Sequence, residues 1–191
     1  MKKLLKRSVQ IVFLALAVPL AAIAGFGGWD EGFRFSGHVC AATPGILGDY
    51  LRMAFYKLTL KSCSQDSRVE FGSFFSHSSA RIGKRVYIGS YCVLGKCAIG
   101  DRTQIASHVQ VLSGRRQHSR DASGKITGSR EEEFEQIEIG ADCWIGASAI
   151  VMASVGAGTT IGAGAVVVKP IDAGVVAVGN PARVLRQENQ A

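Results

Sequence analysis

Three histidines, His77, His108 and His118, are the side chains of this sequence best placed to move protons. An imidazole titrates close to neutral pH, so it can accept a proton from a hydroxyl and return it to a leaving group. His118 is set apart by its surroundings. It lies in residues 112–136, a densely charged stretch without periodicity that interrupts two regular regions. A segment of that length must protrude from a compact body, and protruding loops commonly carry function. The five cysteines, Cys40, Cys63, Cys92, Cys97 and Cys143, form no C-x-x-C pair and are odd in number. That favours reduced thiols packed in a core over a disulfide framework.

The regular regions have a period of six. Ile82-Gly83, Ile88-Gly89, Leu94-Gly95, Ile99-Gly100 and Ile105-Ala106 open successive units on one side of the interruption. Ile139-Gly140, Ile145-Gly146, Val155-Gly156 and Ile161-Gly162 do so on the other. Each unit reads aliphatic, Gly or Ala, two polar or small residues, a small residue, then a free position. Neither a helix, with its three- and four-residue spacing, nor a hairpin sheet, with strict alternation, produces that pattern. An aliphatic residue every six points inward and stacks on its copies in neighbouring coils, which makes a solenoid. The glycine beside it eases the turn at a corner. The register slips twice, by five residues from Leu94 to Ile99 and by four from Val151 to Val155.

Composition agrees with that reading and removes others. Glycine supplies 23 of 191 residues, too many for a helical bundle, and only four prolines without a three-residue glycine period exclude collagen. The net charge of +7 looks like a nucleic-acid signal until it is divided. Lys2, Lys3, Lys6 and Arg7 hold +4 within the first 28 residues, where there is no acid, so the body carries only +3. A nucleic-acid-binding domain concentrates its excess on the folded part, and this one does not.

With its repeats and the later run Gly179-Asn180-Pro181-Ala182-Arg183, the sequence resembles the hexapeptide-repeat acyltransferases, in particular the branch that acetylates sugars and xenobiotics. The resemblance covers residues 69–186. It implies an all-β fold, a three-sided left-handed parallel β-helix of about four coils, assembled as a homotrimer with each coenzyme groove between two subunits. It implies transfer of an acetyl group from acetyl-CoA to a sugar hydroxyl, with no metal. His118 would be the catalytic base, being the loop-opening histidine before Cys143-Trp144-Ile145-Gly146. Trp144, Ala147, Ala163, Val168 and Lys169 would line the coenzyme arm, and Arg183 and Arg186 would meet its phosphates. Relatives that act on simple sugars tend to place asparagine in the acceptor cleft one coil before the histidine. Here the comparable stretch holds Ser90 and Tyr91, which implies a bulkier or differently bound acceptor. Arg115-Arg116 and residues 131–133 are candidates for pairing across the subunit interface. Two other readings stand beside this one: N-acylation of an amino sugar, and a non-catalytic β-helical scaffold, which needs neither His118 nor the Gly-Asn-Pro-Ala-Arg run. A zinc site on the histidines would want two of them five apart, whereas His108 and His118 are ten apart.

The amino-terminal region is expected to be helical and membrane-directed. Residues 9–28 carry no formal charge, and twenty such residues can span a bilayer. A basic head before them also fits a signal peptide, with Ala22-Ile23-Ala24 as its cleavage site. Pro19 can break the helix and permit an in-plane anchor with both ends on the cytoplasmic side. Residues 48–62 form apolar rows with Arg52, Lys57 and Lys61 on offer to anionic head groups, or else a helix packed on the main domain. The domain plan is a membrane segment (1–28), a linker with an amphipathic helix (29–68), the β-helix (69–186) and a tail (187–191). The expected location is the cytoplasmic face of the plasma membrane, with a sugar or glycolipid acceptor.

Overall fold

The computed structural model describes residues 2–114, 118–128 and 134–187, with side chains for 4–114, 118–128 and 134–185. From Ser62 onward the chain winds into a parallel β-solenoid of about six turns. It has three flat faces. Face A stacks Cys63, Ile82, Ile99, Ile139, Val155 and Ile171 in register. Face B stacks Val69, Ile88, Ile105, Ile145, Ile161 and Ala177. Face C stacks Phe75, Leu94, Val111, Val151 and Val167. All are buried except half-buried Ile171, and a fully buried aliphatic is worth about 1.5–3 kcal/mol. The solenoid is longer than the four coils expected and takes in residues ahead of position 69. Its first coil keeps the inward positions, with Cys63, Val69 and Phe75, but Glu70 stands where later coils have glycine, so the beat is inaudible there.

The glycine after each aliphatic answers to the next coil more than to its own turn. A Cβ at Gly100 would sit 2.4 Å from the Ala141 nitrogen, and one at Gly146 2.4 Å from that of Ala163. The small inward residue of the unit has a second role, as a clamp between coils. Thr103 Oγ1 donates to the Gly140 carbonyl (2.7 Å) and accepts the Cys143 N–H (3.1 Å). Ser73 does the same with Gly89 (2.6 Å) and Cys92 (2.8 Å), and Ser67 with Gly83 (2.7 Å) and Val86 (3.0 Å). Cys92 and Cys143 occupy equivalent places, their Sγ atoms 3.1 Å from the carbonyls of Ala106 and Gly156. All five cysteines are buried and unpaired, and burial pushes the Cys97 thiol up to about 12.

Length is conserved at two edges of the prism and not at the third. From face A to B and from B to C every step between inward residues is six. The fourth residue of those corners lies in the left-handed region, as at Arg102 (φ 61°), His108 (φ 62°) and Gly164 (φ 67°), except in the first A-to-B corner. From face C to A the steps are seven, five, twenty-eight, four and four (Phe75–Ile82, Leu94–Ile99, Val111–Ile139, Val151–Val155, Val167–Ile171). Both register slips and the charged interruption therefore fall on one edge, whose short corners lack the left-handed turn that sets the six-residue step; Gly114 (φ 90°), where the interruption leaves, takes it up.

Three helices close the first coil: α1 (Lys2–Ile23), α2 (Asp30–Ala41) and α3 (Gly45–Thr59). Pro19 does not break α1. It lies on the exposed side, while Ala17, Ala21 and Ala24 bury the inner face around it. The break comes at Gly25–Gly27, where Gly27 (φ 94°) leaves no room for a side chain, the Thr59 carbonyl lying 2.2 Å from its would-be Cβ. Ser78 Oγ donates to the Gly27 carbonyl (2.7 Å), tying this turn to the solenoid. Helix α3 packs on the domain, the second of the two expectations, and of the three candidate cations Arg52 is turned inward while Lys57 and Lys61 stay exposed. Arg52 is fully buried and donates to Val69 O (2.8 Å), Cys40 O (3.0 Å), Thr43 O (2.7 Å) and Asp49 Oδ1 (2.6 Å). Asp49 also meets Arg68 of the first coil (2.7 Å). Tyr56 of α3 packs edge-on against Phe75 (5.0 Å) and accepts its N–H (3.2 Å), plugging the open end.

The clamp residues make a direct prediction. Thr103→Val keeps shape but leaves the Gly140 carbonyl and Cys143 N–H buried without a partner, a loss of about 1–3 kcal/mol. Thermal unfolding should show a fall of about 2–4 °C for each kcal/mol lost, with Thr103→Ser close to the parent. Equal midpoints for the valine and serine forms would show that the clamp contributes nothing.

Candidate active site

The protruding loop leaves the body at the C-to-A edge through a closed neck. Glu135 N–H donates to the Ser113 carbonyl (3.1 Å), and Ser113 Oγ accepts the Lys96 N–H (2.9 Å). On the returning side Phe134 lies edge-on to His77 (5.0 Å), which comes from the first coil of the same edge. Beyond the neck the loop folds back on itself. Arg120 and Ile126 form an antiparallel bridge, and Thr127 N–H donates to Ser119 O (2.9 Å). Asp121 organises the turn by accepting from Ser123 Oγ (2.7 Å), Ser123 N–H (2.8 Å) and Lys125 N–H (3.0 Å). The Ser123 hydroxyl and these amides hold the Asp121 carboxyl below its ordinary range. His118 directly precedes this hairpin and is exposed, so its imidazole is offered outward from a small rigid platform.

The other predicted residues fall in three places. Val168, half-buried, and Lys169, exposed, occupy the last corner of the C-to-A edge, the one that carries His118. Ser90, Tyr91, Ala147 and Ala163 lie on the B-to-C edge. Ser90 O accepts the His108 N–H (2.9 Å), and Ala147 O the Gly164 N–H (2.8 Å). Tyr91, at φ 60°, stacks on His108 (5.3 Å, 13° between planes) and meets Phe71 edge-on (5.5 Å). Trp144 stands on face B, 60% exposed, between Gln104 and Thr160. The Gly-Asn-Pro-Ala-Arg run ends face C, since Val166 N–H donates to Gly179 O (3.0 Å) and Ala182 N–H to Val166 O (2.8 Å). It then turns into an antiparallel strand, Arg183–Gln187, on the edge of face B. Arg183 is exposed on that strand, and Arg186 pairs with Val176 through its backbone, its side chain lying outside the described residues. Arg115, Arg116 and residues 131–133 lie outside them as well.

One chain therefore does not gather the predicted site into a single cleft. A cavity of about 290 Å3 between α1, α3 and the first coil, and a groove of about 730 Å3 across face A, contain none of those residues. Neither Asp121 nor the contact between Phe134 and His77 is among the residues expected from sequence. Asp121-Ala-Ser-Gly-Lys does carry a turn signature, an Asp whose side chain can bind the backbone two residues on.

No family model matches the chain, and no curated protein sequence matches it. Solved structures do. A maltose O-acetyltransferase from Clostridium difficile 630 superposes with a TM-score of 0.70 at 26% identity, covering 84% of this chain and 87% of that one. The hexapeptide-repeat containing acetyltransferase VCA0836 from Vibrio cholerae gives 0.66 at 21%, covering 89% and 94%. A variant of AntD, an N-acyltransferase from Bacillus cereus in complex with dTDP-4-amino-4,6-dideoxyglucose and coenzyme A, gives 0.52 at 21%, covering 65% and 71%. Across such structures the chain spans between 60% and 94% of the other protein's length. Repeat, solenoid and neighbours together show the fold, a hexapeptide-repeat β-helix similar to that of these acetyltransferases.

The hairpin after His118 is testable by itself. Asp121→Ala should lower kcat for acyl transfer about tenfold or more through misplacement of His118, with KM for the acyl donor little changed. Asp121→Asn, which keeps the acceptor oxygen, should restore most of the loss. The sign of the pH effect follows from the depressed Asp121 pKa. Its support is complete above the ordinary Asp value of about 4 and fades as pH falls through the lowered value. The hairpin should accordingly be constant from neutral down to about pH 5, read as the chemical shift of the Asp121 carboxyl.

Proposed function

We propose that this protein is an acetyl-CoA-dependent O-acetyltransferase that acts on a sugar hydroxyl in the assembly of a surface polysaccharide or glycolipid. The observation that carries the proposal is the collection of every length irregularity at one edge, with His118 on its own hairpin there. A solenoid whose only task is to stack needs no such device. In the reaction His118 takes the acceptor hydroxyl proton as the oxygen attacks the thioester carbonyl carbon. The C–S bond then breaks, and the proton passes to the departing thiolate. Assistance of this kind contributes about 10²–10⁴ in rate. Lys169, Arg183 and Arg186 would hold the phosphates of the coenzyme, and Val168, Ala147, Ala163 and Trp144 its arm. Tyr91, backed by His108 and Phe71, would bound the acceptor.

These groups lie on two edges and a face of one prism, which supports a homotrimer in which the loop of one subunit reaches the coenzyme groove of the next. Closed cyclic assembly satisfies each subunit once and leaves no open end. The location would be the cytoplasmic face of the plasma membrane, where acetyl-CoA is available. N-acylation of an amino sugar is a second reading, favoured by the AntD complex, whose sugar nucleotide carries an amine at the 4-position.

Thiol release from acetyl-CoA against a panel of hydroxyl and amino sugars decides between the two. His118→Ala should leave less than about a tenth of kcat. Lys169→Ala should raise KM for acetyl-CoA with kcat nearly intact, because contacts to the nucleotide end are alike in ground and transition states. The shared site has its own test. His118→Ala and Ala163→Trp, each inactive alone, should regain about a quarter of parental activity when refolded together as mixed trimers, since that fraction of sites draws an intact half from each. No regain would confine the site to one chain.

A further inference from the structure

The amino-terminal helix has the length and composition of a membrane span, 20 residues from Leu4 to Ile23, and only 11% of it is buried, yet one side of it touches the domain at several points. Near its start Lys6 meets Asp66 (3.6 Å) and Gln10 Nε2 donates to Gln65 O (3.0 Å), both partners in the first corner of the solenoid. At mid-length Phe13 stacks on Tyr50 of α3 (5.4 Å). Towards its end Ala17, Ala21 and Ala24 are fully buried. A helix held near both ends against α3 and the solenoid cannot cross about 30 Å of hydrocarbon while they stay outside it. Cleavage after Ala24 would strip this layer from α3.

The opposite stripe of α1 is apolar apart from Ser8, whose hydroxyl donates back to the Leu4 carbonyl (3.2 Å), and nothing among the described residues covers it. Leu5, Ile11, Val12, Leu16 and Ile23 are exposed, between 44% and 67% of each surface being open. The stripe continues into Phe26 and Trp29, exposed at 55% and 53%. Apolar exposure of this extent marks an interaction surface. Its charge says which kind along the helix itself: residues 1–28 carry four cations and no acid, Arg7 is exposed at the start of the helix, and the first acids, Asp30 and Glu31, come at the aromatic end, where Glu31 accepts from Trp29 Nε1 (2.7 Å). An apolar stripe with basic residues at one end and aromatics at the other suits an interface of acyl chains and anionic head groups.

We infer that α1 is an in-plane foot, lying in one leaflet of an anionic bilayer with its outer stripe immersed and the solenoid on the same side as its amino terminus. This goes beyond membrane association, since it sets the topology and the face, and it does not depend on which acceptor the enzyme uses.

Labelling of the full-length protein in oriented membrane vesicles with an impermeant maleimide tests the topology, the native cysteines all being buried. Arg7→Cys, exposed at the basic end of α1, and Lys84→Cys on the solenoid should react from the same side. Labelling from opposite sides would establish a span and overturn the inference. Flotation tests the face. The parent should float with phosphatidylglycerol–phosphatidylethanolamine vesicles and poorly with phosphatidylcholine alone. The pair Ile11→Gln and Leu16→Gln should float at least tenfold less while keeping turnover on a water-soluble acceptor, which separates this surface from the catalytic reading. If that pair floats like the parent but loses its oligomeric state in lipid-free buffer, the stripe is a contact between copies, and the bilayer is the wrong occupant.

Discussion

The constraint on which the rest depends is how closely one coil lies on the next. At Gly100 and Gly146 the neighbouring backbone comes within 2.4 Å of where a Cβ would stand, so these two positions admit only glycine without movement. The same closeness lets a single hydroxyl, on Ser67, Ser73 or Thr103, bond a carbonyl and an N–H of the adjacent coil at once. Inward aliphatics then stack in three rows because nothing else fits between them. A unit that fails at one of these positions disturbs the coil beside it, so the pattern repeats strictly wherever it must.

It need not repeat everywhere, and the exception lies where the candidate chemistry does. Two edges turn through a left-handed residue that holds their step at six, whereas the third uses turns of other lengths. An edge without a set turn can accept an insertion without moving the stack. The loop bearing His118 uses that freedom, and its neck at Ser113 and Glu135 isolates the insertion from the coils. Rigidity is then rebuilt locally by Asp121.

The ends of the prism need a different solution, since a coil with no neighbour exposes unpaired strands. At one end Arg52 draws the Cys40 carbonyl of α2, the Thr43 carbonyl of the turn after it, the carboxylate of α3 and the backbone of the first coil onto one guanidinium. Breaking such a buried network is costly because it strands a charge. At the other end the Gly-Asn-Pro-Ala-Arg run pairs with Val166 and turns the chain back antiparallel. The helices that close the first end also present the apolar stripe of α1, so one layer serves both as cap and as outer surface.

The sequence by itself determined the coil and its period, because a repeat writes the same local demand many times over. The inward rows, the small inward residues and the interruption at 112–136 could be read from residue types at six-residue spacing; the clamp bonds made by Ser67, Ser73 and Thr103, and the hairpin that follows His118, appear only in the fold. What depends on contacts distant in sequence was not legible. The first coil was missed because its inward residues keep register without the glycines that announce it. Arg52 looked like a surface cation, since nothing local reveals that four acceptors from three elements and a turn converge on it. Pro19 looked like a helix breaker because its tolerance comes from packing on α3. Only the tertiary structure decided that all irregular steps share one edge and that the expected site residues divide between two edges and a face. Both are properties of how coils superpose, and a linear chain records the length of each step but not the edge on which it falls.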